Sequence, residues 1–152
     1  MAQQSFFVPG EVPTLNELLD LRALEGRVGK STYRRSPYAK VKKAWKQRVV
    51  SHVPDSVDKM DAAFVTIAIN EKSKRRDPDG ICSSAFKLLL DGVVEARLLS
   101  GDGWRDILGL KGHWFLKHPI GPGVLVVLDS ERCIDSLSEM QSMLDEEHKL
   151  VG

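Results

Sequence analysis

Asp77 and Asp79 stand two residues apart across Pro78, in the run Arg75-Arg76-Asp77-Pro78-Asp79-Gly80, with two guanidinium groups directly before them. Paired carboxylates of this kind either close a salt-bridged turn or hold a hard divalent cation, for which oxygen donors are the preferred ligands. Asp79 alone has a structural reading as the N-cap of the helix that follows, where its carboxylate meets orphan amides. Asp77 has no such role, because Pro78 restricts it to an extended backbone and leaves both side chains at the mouth of a strand-to-helix turn. A third acid, Asp102, lies in Ser100-Gly101-Asp102-Gly103, the turn after the same helix, and Lys87 looks out of the helix's narrow polar window with Asp91 at i+4. Carboxylates from both ends of one helix and a lysine between them describe a site for Mg²⁺ or Mn²⁺ beside a phosphate.

The elements that must position these groups follow from hydrophobic period. Ala62 to Asn70 is β-rich and apolar on both alternating sets, as expected of a central strand, and it runs directly into the acid hexapeptide. Gly80 to Leu99 carries a wide apolar arc at helical spacing (Ile81, Ala85, Leu88, Leu89, Val93) and reads as the helix between the two acid turns. Ser5 to Val8, ended by Pro9-Gly10, reads as an edge strand; Thr14 or Asn16 caps a first turn over Leu15, Leu18 and Leu19. Pro37 opens a helix with Tyr38, Val41, Ala44, Trp45 and Val49 on one arc and Lys40, Lys42, Lys43 and Lys46 on the other. Asp106 to Lys117 and Val124 to Leu128 read as two further strands, and residues 130 to 148 as a helix docked on the body or on a partner. At 152 residues this is one domain, drawn as residues 1–128 with an acidic helical tail at 129–152.

The net charge of +1 conceals an asymmetry. Arg27, Lys30, Arg34, Arg35, Lys40, Lys42, Lys43, Lys46 and Arg48 follow one another with no acid among them, whereas from Asp129 onward seven acids face only Arg132 and Lys149. A basic front points to a polyanionic partner. Other chemistries lack their residues. Gly29-Lys30-Ser31 ends like a phosphate-binding loop, but the glycine needed five residues before Gly29 is Leu24, so no nucleotide cofactor is expected. The four histidines have no metal-ligating spacing, Cys82 and Cys133 make no disulfide framework, and no serine or cysteine has a nucleophile's context. No apolar run is long enough to cross a bilayer and the start lacks a basic and an apolar leader region, so a cytoplasmic protein without membrane partners is expected.

The order Asp77-x-Asp79, Lys87, Asp91, Asp102, with Pro9-Gly10 and Pro13-x-x-Asn16 at the start, resembles the RusA family of Holliday-junction resolvases, often borne by phages and prophages, from about Val8 to Leu128. The family asparagine after the second Asp is here Gly80, the first acid of its Asp-Asp turn is Gly101, and the interval from Asp79 to Lys87 is longer than in the compact form. The resemblance implies a compact α+β domain, a mixed β-sheet with helices packed on it, consistent with the strand and helix order above, and a Mg²⁺-dependent homodimer that resolves four-way DNA junctions by paired symmetric nicks. It assigns Asp77, Asp79 and Asp102 to the metal and Lys87 to the phosphate or the attacking water, with Asp91 orienting Lys87 or capping internal amides. Arg75, Arg76, Lys74, Lys40, Lys42, Lys43, Lys46, Arg34, Arg35 and Asn16 are then the DNA-binding set. A branched-DNA-binding module without turnover, and another metal-dependent phosphoryl-transfer enzyme, are the alternative readings.

Overall fold

Two strands are apolar on both faces and therefore belong at the centre of a covered sheet. In the computed structural model, which describes residues 2–28 and 37–151 without the side chains of 22–28, 79 and 151, these are β2 (Ala63–Glu71) and β4 (Gly123–Asp129). They pair antiparallel, Ile67 opposite Val126. β1 (Gln3–Pro9) lies antiparallel on the outer side of β4, and β3 (Ile107–Leu116) lies parallel on the outer side of β2, giving the order β1-β4-β2-β3. The parallel pair requires a crossover, which α3 (Pro78–Glu95) supplies.

Alternation along β2 divides the core in two. Val65, Ile67 and Ile69 face α1 (Leu15–Val28), α2 (Pro37–His52) and α3, packing with Leu18, Tyr38, Trp45, Val49, Ile81, Leu88 and Leu89. Ala68 faces the other way, with Phe7, Leu125 and Val127, against Ile134, Met140 and Leu144 of the final segment and its helix α4 (Leu137–Val151). The expected acidic tail is thus the lid of the second sheet face. It lies across the sheet from basic α2, and removing it would uncover the smaller of the two core clusters. The α+β class is as read; the helix expected at 130–148 begins later because residues 130–136 run over the second sheet face, with the Ile134 N–H donating to Thr66 Oγ1 at 2.9 Å.

Buried polar groups tie the strand ends. Asn70 donates to the carbonyls of His118 (3.1 Å) and Gly121 (2.7 Å) and accepts from the His118 N–H (3.1 Å), shaping the β3–β4 connection beside the end of β2. Buried Asp129 accepts from Gln3 Nε2 (2.9 Å) and from the N–H groups of Glu131 (2.7 Å) and Arg132 (3.1 Å). Burial pushes its pKa up, but these bonds outweigh burial and hold the carboxyl below the usual aspartate range. A depressed acid stabilises the fold above its unfolded pKa of about 3.9 and loses that contribution as pH falls through the folded value. Asp129→Asn is therefore expected to cost about 1–2 kcal/mol at pH 7, with wild type and variant converging in acid; denaturant titrations from pH 7 to pH 3 measure this.

Candidate metal-ligating acids and nucleic-acid interface

β2 ends on buried Glu71, and the chain turns through residues 72–76 to Asp77, the N-cap of α3. Asp77 is extended (φ −71°, ψ 129°), as a residue before proline must be, and its carboxylate makes no capping hydrogen bond. The expectation that Asp79 is the N-cap is corrected here. Pro78 takes the first helical position, where its missing N–H costs nothing, so the cap moves back to Asp77 and Asp79 enters the first turn. The Asp79 side chain lies outside the described residues.

Asn16 does meet the acid motif. Thr14 starts α1 by accepting from the Glu17 N–H at 3.1 Å, and this turn forms one wall of a cavity of about 390 Å³ whose other wall is Arg75, Arg76, Asp77 and Gly80. Gly80 leaves that cavity open: a Cβ there would have only the Leu15 nitrogen near it, at 4.0 Å. On the far side of Asp77 a second cavity, about 340 Å³, is lined by Lys74, Pro78, Ile81, Trp114 and Leu116. Trp114 Nε1 donates to the Pro78 carbonyl at 3.1 Å, pinning the head of α3 to β3.

Arg76 is not available to a DNA phosphate. Its guanidinium is held between the Glu71 carboxylate (2.9 Å), the Val12 carbonyl and the Glu17 carboxylate (3.8 Å), and its buried Nε has no partner among the described residues. Burial raises the Glu71 pKa against the opposing pull of Arg76. The turn therefore contains an interior ion pair, and Arg76 is a structural cation. Lys72 is also paired, to Glu11 at 2.8 Å, a bond that holds the Glu11 carboxyl below its ordinary value. Lys74 and Arg75 remain exposed at the rim.

The rest of the expected constellation is dispersed within one chain. Lys87 is nine residues beyond Pro78, about 13 Å along the helix, and its ammonium lies 5.9 Å from the centre of the Tyr38 ring. Asp91 does not pair with it; among the described residues the cation paired with Asp91 is Lys42, at 4.0 Å, where α2 packs across α3. Asp102 stands at the opposite end of α3 from Asp77. Ile107, which opens β3, pairs with Ala63 at the start of β2, whereas Asp77 follows the end of β2. An 18-residue helix separates the two acids by about 27 Å, and no side-chain rotation closes that gap. Within a single subunit Asp102 and Asp77 cannot share an ion. Among the described residues no three His, Cys, Asp or Glu side chains form a metal-holding group.

The basic helix fares better as a surface. Lys42, Lys43 and Lys46 line an open groove of about 680 Å³ with Tyr38, Gln47, Val50 and Glu95, while Lys40 is exposed beside it. Arg34 and Arg35 lie outside the described residues. Histidines serve the fold: His113 Nε2 meets the Ile134 carbonyl at 2.7 Å, and His118 Nε2 meets Asp145 at 2.8 Å. Both cysteines are free, and burial pushes both thiols up, away from the reactive thiolate. Sequence reasoning missed Glu71, Glu17 and Glu11. Each is a lone acid whose partner is far off in the chain or across a turn, so no local spacing marks it. No protein-family model and no curated protein matches the chain.

Proposed function

We propose that this protein is a Mg²⁺-dependent endonuclease that nicks branched DNA, with four-way junctions as its substrate. The observation that carries the reading is the convergence of Asn16, Arg75, Asp77 and Gly80, from segments some sixty residues apart in the chain, on one cavity at the end of a central strand. Chance does not favour two weak motifs from one family order meeting in space. Exposed Lys74 and Arg75 at the rim and the lysines of α2 on the same sheet face would bind phosphates by charge, with little base information and a steep dependence on salt. Hydrolysis joins a water oxygen to phosphorus and breaks one phosphorus–oxygen ester bond, the leaving alkoxide taking up a proton. The described carboxylates of one chain do not complete a centre for the ion.

A DNA-binding module without turnover is the second reading, favoured by the distance of Asp102 from Asp77. Synthetic four-way junctions and linear duplex, incubated with protein in Mg²⁺, in EDTA, and with Asp77→Asn, separate the two. Paired nicks in the junction with Mg²⁺, absent in EDTA and reduced at least about 100-fold by Asp77→Asn, are expected. Junction binding without cuts in every arm overturns the nuclease.

A further inference from the structure

Beside the acid turn stands a hydrophobic cavity that hydrolysis by itself does not require. It holds about 340 Å³ and is walled by Pro78, Ile81, Trp114 and Leu116; Trp114 and Leu116 stay 44 and 45% exposed. That volume is at the low end of the roughly 300–1,000 Å³ of ligand sites, room for one small ring system and not for a paired duplex. The indole is held ready for such a ring: its Nε1 donates to the Pro78 carbonyl at 3.1 Å, which fixes the ring plane while much of its surface stays open to solvent. Of the charged groups lining the cavity, Glu71 and Arg76 neutralise each other across 2.9 Å, which leaves Lys74 and Asp77.

A second cation is brought to the same place against the preference of the backbone. Lys117 directly follows Leu116 and has φ 57°, in the left-handed region that L side chains rarely adopt. Its own N–H holds it there, donating to the Glu71 carbonyl at 2.7 Å, and so does buried Asn70, which accepts from the His118 N–H and donates to the His118 carbonyl, each at 3.1 Å. Glycine would meet the backbone demand alone. Lysine meets it with a charge, and Lys117 is exposed and has no ion pair among the described residues.

We infer that this cavity receives the base of one unstacked nucleotide, laid against the Trp114 indole, with its phosphate held by Lys74 and Lys117 beside Asp77, a role that rests on the branched-DNA reading above. A base inside a continuous duplex is paired and stacked, and enters such a cavity only if it is first extruded. A base at a branch point or a bulge is already loosened, so the cost is least there. Stacking on an aromatic ring suits every base, and the choice made is therefore for branched structure and not for sequence. Apolar walls and an aromatic platform fit one half of a nucleotide and the cationic rim fits the other; an apolar peptide would leave both lysines unused.

Fluorescence anisotropy in EDTA, where Mg²⁺-dependent cutting is stopped, compares three labelled DNAs: a perfect duplex, the same duplex with one extra thymidine bulged from it, and that bulge made abasic. Wild type is expected to bind the thymidine bulge at least about 10-fold more tightly than either of the others. Trp114→Ala should erase this advantage, whereas Trp114→Phe, which loses the bond to Pro78 but keeps a ring, should retain most of it; the pair separates stacking from a slackened α3. Lys117→Gly relaxes the backbone, so it should raise the melting temperature while lowering the salt slope of bulge binding by about 0.9 for the lost phosphate contact. Equal affinity for all three DNAs, as a cavity filled by a protein partner would give, overturns the proposal. So does an abasic bulge bound as tightly as the thymidine bulge, or an advantage that survives Trp114→Ala, and an unchanged slope overturns the part given to Lys117. Nicking of junctions in Mg²⁺ without the bulge advantage refutes the cavity and leaves the endonuclease standing; the advantage without nicking does the reverse.

Discussion

Arg76→Ala is expected to lower stability by about 3 kcal/mol at pH 7, because it strips a buried carboxylate of the one cation close to it among the described residues. Glu71 is 8% exposed and accepts a 2.9 Å bond from the guanidinium, which also donates to the Val12 carbonyl and lies 3.8 Å from the Glu17 carboxylate. For a domain of this size the loss corresponds to a fall in melting temperature of about 6–12 °C. The pH dependence has a definite sign. Glu71 already has a raised folded pKa from burial, opposed by Arg76; without Arg76 it rises further, so the folded variant binds a proton that the unfolded chain has released. The deficit should therefore be smallest in acid and grow as pH rises through the carboxylate range toward neutrality. Replacing both partners, Arg76→Met with Glu71→Gln, should recover much of the loss, since no buried charge is left alone. A melting temperature unchanged by Arg76→Ala would show instead that the guanidinium is free, and would return it to the DNA-binding set.

Gly92→Ala is the second large effect, and its sign opposes helix propensity. In an open helix the change would stabilise by about 1 kcal/mol. Here a Cβ at position 92 would lie 2.4 Å from the Val49 Cβ and 2.7 Å from both of its γ-carbons, at the crossing of α3 with α2. Neither helix can yield without parting, and overpacking of this kind costs about 1–3 kcal/mol, so a net loss is expected in thermal melts. Val49→Ala removes the γ-carbons but keeps the Cβ, and should rescue only in part. A stabilised Gly92→Ala would mean that α2 docks elsewhere, along with the lysine face whose position depends on this crossing.

Much of the architecture was legible because it is written in local period. β2 reads as apolar on both faces and proved central; Pro37 opens a helix at the position proline prefers; Thr14, one of the two caps expected, caps α1. Boundaries slipped where two signals competed. Asp79 is a good cap by type, but Pro78 is a better first residue, and the cap retreated to Asp77. Ala44, placed on the buried arc of α2, is exposed, since that helix buries only the narrow stripe of Tyr38, Trp45 and Val49.

What residue types and spacing determined by themselves was the inventory: four strands and the helices among them, an acid pair at the end of one strand, and a basic helix. The tertiary structure decided which charges meet. A helix of 18 residues carries Asp102 to the far end of the sheet and Lys87 toward Tyr38, while folding brings Glu71 and Glu17 to Arg76. Side-chain chemistry is local to a residue, but Coulomb and coordination energies depend on distances that strand order and helix length impose, and a linear motif does not contain those distances.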